Sequence, residues 1–129
     1  MQLGYTLYYV PDVAATVAFY EQAFSLARRF VHESGMYAEM ETGATALAFA
    51  DEKMAGMNGL TILPQRKDAP PASVELCLVT ATPEAAYAHA IAHGAQALKT
   101  PEAKPWGQVV GYVRDLNGYL VEICSPVSG

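Results

Sequence analysis

Residues 4–24 read Gly4-Tyr5-Thr6-Leu7-Tyr8-Tyr9-Val10-Pro11-Asp12-Val13-Ala14-Ala15-Thr16-Val17-Ala18-Phe19-Tyr20-Glu21-Gln22-Ala23-Phe24, and this stretch decides the fold. Its first seven residues are rich in aromatic and β-branched side chains, which suit a strand, and Pro11 has no N–H to donate to a sheet ladder. Asp12 then offers a carboxylate to cap a helix, and Val13, Val17, Tyr20 and Phe24 recur at a spacing that stacks them on one helical face. A strand is therefore followed by a helix that packs onto a sheet.

Working outward, Ala27–His32, Met36–Glu41 and Ala44–Phe49 read as three strands separated by Ser34-Gly35 and Thr42-Gly43, each a short turn signal. The order is β-α-β-β-β. From Glu52 to Ala72 the texture changes to Met54, Gly56, Met57, Asn58-Gly59, Pro64, Pro70 and Pro71, where glycine and proline disfavour a continuous regular element. The same grammar then returns: strand-like Val74–Thr80, Thr82 as cap, Pro83 in the first turn, a helix over Glu84–His93, and Gly94 as stop. Strands Gln96–Lys99, Gln108–Val113 and Tyr119–Cys124 complete it, the last two joined by Asp115-Leu116-Asn117-Gly118. The reading is a single α+β domain over residues 1–129, with module one at 1–52, a connection at 53–72 and module two at 73–125. An unrelated α+β sandwich shares the composition but not the matched punctuation.

With 129 residues there is room for one ordinary domain, and 52% hydrophobic residues support a dense core. A net charge of -5, with eight Lys and Arg scattered along the chain, argues against a general nucleic-acid partner. No stretch approaches the roughly 20 apolar residues of a membrane span, and the start lacks the basic and apolar regions of a secretion signal. Cys77 and Cys124 lie in apolar strand-like segments and are expected to be buried free thiols. Together these predict a cytoplasmic protein without a membrane or nucleic-acid partner.

The segments strand-Pro11-Asp12, Val17-Ala18-Phe19-Tyr20, Pro105-Trp106-Gly107-Gln108 and Val113-Arg114-Asp115-Leu116-Asn117-Gly118-Tyr119-Leu120-Val121-Glu122 resemble the glyoxalase/bleomycin-resistance/extradiol dioxygenase proteins, the vicinal oxygen chelate superfamily. The likeness covers almost the whole chain, and its most specific part runs from Trp106 to Glu122. It implies two tandem βαβββ modules forming a curved mixed eight-stranded sheet, a partly open cup, and commonly a homodimer. Chemistry does not follow from the fold.

The resemblance also implies where a metal would sit: on the first and last strands of each module, usually held by two His and two Glu. Counting from Asp12 and Thr82, and aligning Gly43 with Gly118, these positions fall on Tyr5, Leu47, Glu75 and Glu122. A slip of one residue in the fifth strand would substitute Val74 and turn Glu75 to the opposite face. A phenol, a leucine and two carboxylates are a poor ligand set, so neither a metal nor another cofactor is expected. An apolar cup with anionic points is instead expected to bind a small aromatic or cationic compound through Tyr5, Leu47, Glu75, Trp106 and Glu122. The alternative is a metal-dependent lyase, isomerase or dioxygenase with an atypical ligand set.

Other constellations carry less. His89 and His93 share a helical face but lack the neighbouring Glu of the His-Glu-x-x-His zinc pattern, and read as surface residues. There is no Gly-x-Ser-x-Gly elbow and no dinucleotide fingerprint. Met54 and Met57 supply adaptable apolar surface, either as a lip over the cup or as packing between modules.

Overall fold

A computed structural model describes residues 1–127. They fall into two compact units, Met1–Gln65 and an Arg66 unit that runs to the C-terminus, divided inside the expected connection. In the first unit, β1 (Tyr5–Val10) leads into α1 (Val13–Phe24), followed by β2 (Ala27–Val31), β3 (Tyr37–Glu41) and β4 (Ala46–Asp51). These strands form one four-stranded sheet in the order β1-β4-β3-β2, with β1 parallel to β4 and the other pairs antiparallel.

The local chemistry of this unit follows the sequence closely. The Asp12 carboxylate accepts from the Ala15 N–H at 3.0 Å, occupying one of the donors a helix start leaves open. Val13, Val17 and Tyr20 are buried, and the Tyr20 ring meets Phe49 of β4 at 4.8 Å between centroids. Phe49 therefore points toward α1, and because side chains alternate along a strand, so does Leu47. The opposite face of β4 carries Ala46, Ala48 and Ala50.

After β4, Lys53–Met57 forms a short helix, α2, where the glycine-rich sequence suggested none. The Asp51 carboxylate accepts from the Lys53 N–H at 2.9 Å. Gly59, at φ 76°, ends the segment, with the Leu60 N–H reaching back to the Ala55 carbonyl at 2.8 Å. One turn with a carboxylate at its start and glycine at its end tolerates Gly56 inside.

The second unit repeats the order with β5 (Glu75–Val79), α3 (Pro83–Ala92), β6 (Gln96–Ala103), β7 (Val109–Arg114) and β8 (Leu120–Cys124). Its sheet runs β5-β8-β7-β6, with β5 parallel to β8. The βαβββ grammar thus stands, and the eight expected strands hydrogen-bond as four and four, each ladder closed within its own module. Thr82 precedes α3 as expected, but its hydroxyl makes no capping bond, and the Thr82 N–H instead donates to the Thr80 hydroxyl at 3.2 Å. Strand β6 extends to Ala103, four residues past the expected end, interrupted by two shifts of register around Lys99.

Arg114 ties the start of this unit to its last hairpin. The guanidinium is buried and donates to four carbonyls: Gly118 at 2.8 Å, Lys67 at 3.1 Å, Arg66 at 3.0 Å and Ala69 at 2.7 Å. Such charge-assisted bonds satisfy a buried cation with backbone dipoles. Gly118 makes the approach possible: it sits at φ 95°, and a Cβ there would lie 2.7 Å from Arg114 and 2.8 Å from the Arg66 carbonyl oxygen. Gly118→Ala is expected to destabilise the protein by about 2 kcal/mol or more, through backbone strain and displacement of the guanidinium. A fall in the urea midpoint at unchanged slope measures it; an unchanged midpoint would show that the turn relaxes freely.

Candidate functional site

On β7, Gly111 faces α3, since a Cβ there would meet the Tyr87 side chain at 3.1 Å, and Val113, Val121 and Ile123 are buried on the same side. Alternation then sets Tyr112 and Glu122 on the face turned away from the helix. Across that face the register gives one continuous row: Cys77 beside Glu122, Glu122 beside Tyr112, and Tyr112 beside Lys99. Glu75 lies two residues before Cys77 and shares its face, so the register is the one that brings Glu75 to Glu122 rather than the one that presents Val74.

The chemistry of the row is carboxylate, thiol and phenol in mutual reach. One ligand atom from each of Glu75, Cys77 and Glu122 lies within 4.8 Å of the others. The Tyr112 hydroxyl donates to Glu122 Oε1 at 3.2 Å. Burial, then the charge of Glu122, raises the Glu75 carboxyl above its ordinary range. Burial, then the same charge, pushes the Cys77 thiol up to about 11 and the Tyr112 phenol up to about 12. Among the described residues, no Lys or Arg is ion-paired with Glu75 or Glu122.

The first module carries a different face. Tyr5 is exposed on the side of β1 away from α1, paired with Ala46, and Tyr37 and Glu39 project from β3 on that side. Tyr37 donates to Glu39 at 2.7 Å, and its ring meets Phe30 at 5.9 Å. Arg29 pairs with Glu39 at 3.2 Å and Glu41 at 2.8 Å. Here both carboxylates share one guanidinium, so each has a cation beside it.

Of the residues picked from sequence, Glu75 and Glu122 come together. Leu47 does not belong with them: it is 4% exposed and faces α1, where it fills core rather than lining a cup. Its assignment assumed equal spacing from Gly43 and Gly118, but β4 begins three residues after its glycine and β8 two after its own. That single residue turns the side chain over, and the third position of β4 is Ala48. Trp106 is exposed at the turn between β6 and β7, donating to the Gln108 side chain at 2.6 Å. Four residues of strand, about 13 Å, separate Gln108 from Tyr112, so Trp106 stands apart from the carboxylates. Cys77 is exposed rather than buried, whereas Cys124 is buried as expected. His89 and His93 stack at 4.1 Å on α3, away from the row. Cys77, Tyr112 and Lys99 are the members that the sequence reading missed.

A family model for the Glyoxalase/Bleomycin resistance protein/Dioxygenase superfamily matches residues 2–123. The chain belongs to that superfamily. Its fold is similar to that of a glyoxalase/bleomycin resistance protein/dioxygenase family enzyme from Burkholderia phytofirmans PsJN, with TM-score 0.82 and 22% identity over 99% of this chain and 100% of that one. A glyoxalase-related enzyme from Fulvimarina pelagi gives TM-score 0.81 and 22% identity over 96% and 87% of the two chains. A family protein from Nocardioides gives 0.77 and 20% over 100% and 85%. No curated protein matches. No helix is long and apolar enough to cross a membrane.

The superfamily's usual set of two His and two Glu does not fit the residues present. Neither module has histidine on its first or last strand, and the side of β4 away from α1 holds only Ala46, Ala48 and Ala50 as possible contributors. What remains is one mixed group of two carboxylates and a thiol in the second module.

The thiol reports on this environment. Because the thiolate is the nucleophile, Cys77 is expected to react with iodoacetamide at pH 8 well below the rate of a free cysteine, despite its exposure. Glu122→Gln should accelerate the reaction severalfold, by removing a negative charge that opposes ionisation. Equal rates in the two proteins would show that Glu122 exerts no such field.

Proposed function

We propose that this protein binds a small cationic compound with an aromatic or apolar body, holding it without transforming it and without a metal. One observation carries the reading: Glu75 and Glu122 share a face, burial and the Glu122 charge make Glu75 harder to ionise, and no basic side chain is paired to either among the described residues. A ligand cation relieves that repulsion, and the Tyr112 ring offers a π face beside it. The bleomycin-resistance part of the family name makes bleomycin and other planar cationic antibiotics the first compounds to try.

A thermal-shift panel of such cations should give at least one clear stabilisation, lost in Glu122→Gln, because ligand that binds only the native state raises its melting temperature. Affinity is expected to increase with pH from the ordinary glutamate range, about 4.3, up through the raised Glu75 range, since the cation binds the ionised carboxyl and must displace a proton below it. Glu75→Gln should flatten that dependence. A flat panel across a broad, soluble set would end the proposal.

The group of Glu75, Cys77 and Glu122 favours one rival, a metal-dependent lyase, isomerase or dioxygenase with an atypical ligand set. Elemental analysis of the purified protein separates the two. Stoichiometric manganese, iron, nickel or zinc, lost in Glu122→Ala, supports the rival; less than a tenth of an equivalent after reconstitution supports metal-free binding. We also propose a cytoplasmic homodimer, in keeping with an exposed free thiol and with edge strands that need cover.

A further inference from the structure

The row that begins with two carboxylates ends in lysine. Beyond Tyr112, on the far side from Glu122, a groove of about 300 Å³ is lined by Lys99, Thr100, Glu102, Lys104, Val110 and Tyr112. It exists because β6 does not follow β7 evenly: the register shifts between Ala97 and Lys99 and again between Lys99 and Glu102. Bulges of this kind bend a strand and re-aim its side chains. Lys104 reaches Glu102 at 2.6 Å, and Lys99 also lowers the Glu102 carboxyl through its charge. Two ammonium groups against one carboxylate leave the groove with a net positive charge, with the Thr100 hydroxyl as a neutral donor and Val110 and Tyr112 as an apolar floor.

We propose that the ligand is amphoteric, with its cationic group held at Glu75 and Glu122 and an oxyanion held at Lys99 and Thr100 on the other side of Tyr112. This rests on the cation-binding reading above and extends it by naming the second pole. Glu122, Tyr112 and Lys99 occupy neighbouring strands, so the two charged positions stand about 10 Å apart at the backbone. That spacing suits a compound of amino-acid to dipeptide size with a ring between its charges. The opposite charges also orient it: reversed, each pole would face its like. The oxyanion is a carboxylate or a phosphate-type group, since both accept from an ammonium and a hydroxyl.

Nuclear magnetic resonance titrations of the full chain test this with 4-(aminomethyl)phenylacetate, its methyl ester, which keeps only the cation, and inorganic phosphate. The amphoteric probe is expected to bind at least fivefold more tightly than the ester. Lys99→Met should abolish that margin without changing the ester's affinity, while Glu122→Gln weakens both compounds. Phosphate should shift the Lys99 and Thr100 amides in the unaltered protein and not in Lys99→Met, and Glu102→Gln should tighten it by removing the competing carboxylate. An ester that binds as tightly as the amphoteric probe, or a margin that survives Lys99→Met, overturns this inference alone. An ester that does not bind at all overturns the cation reading and this inference with it. Lys99 is exposed on an edge strand, so its substitution leaves the core intact, and an unchanged amide spectrum elsewhere verifies that.

Discussion

The parallel pairing of β5 with β8 is the constraint on which the functional face depends. Parallel strands cannot be set by a tight turn, and 40 residues separate these two. Their register is instead held by burial. Val121 and Ile123 must face α3, and a shift of one residue would drive Glu122 into the core and expose both apolar side chains. Once β8 is held this way, Cys77 stands beside Glu122 and Glu75 follows on the same face. The Arg114 anchor reinforces the arrangement by binding the last hairpin to the carbonyls of residues 66–69.

The two modules share an element order and differ in how they treat charge. In the first, Arg29 stands against both Glu39 and Glu41, and the exposed face is aromatic with these two carboxylates ion-paired. In the second, the carboxylates of Glu75 and Glu122 repel one another, and the lysines lie across Tyr112 rather than beside them. An ion pair formed within the protein leaves little for a ligand to gain, whereas separated charges of opposite sign invite a molecule that spans them.

Much of the architecture was legible because it rests on local signals. Pro11 and Asp12 ended a strand and began a helix, and the Asp12 cap appears as a hydrogen bond. Glu122 was legible because the Asn117-Gly118 turn fixes where β8 begins. That turn also sets Tyr112 opposite Glu122, a pairing obtainable by counting back through the hairpin. Leu47 was misplaced because glycine position alone does not give loop length, and the unequal spacing inverted its face. Cys77 was misjudged for a related reason: an apolar run does not reveal which of its residues face the helix.

By itself the sequence determined the order of elements, the repetition of the module and the absence of the superfamily's histidines, since proline, glycine, capping residues and residue identity act locally. Only the tertiary structure decided which side chains share a face, that the β6 bulges open a groove beside Tyr112, and that Glu122 is close enough to Glu75 to raise its carboxyl. Those outcomes depend on register between strands far apart in the chain, which is settled by the packing of whole faces and not by any short segment.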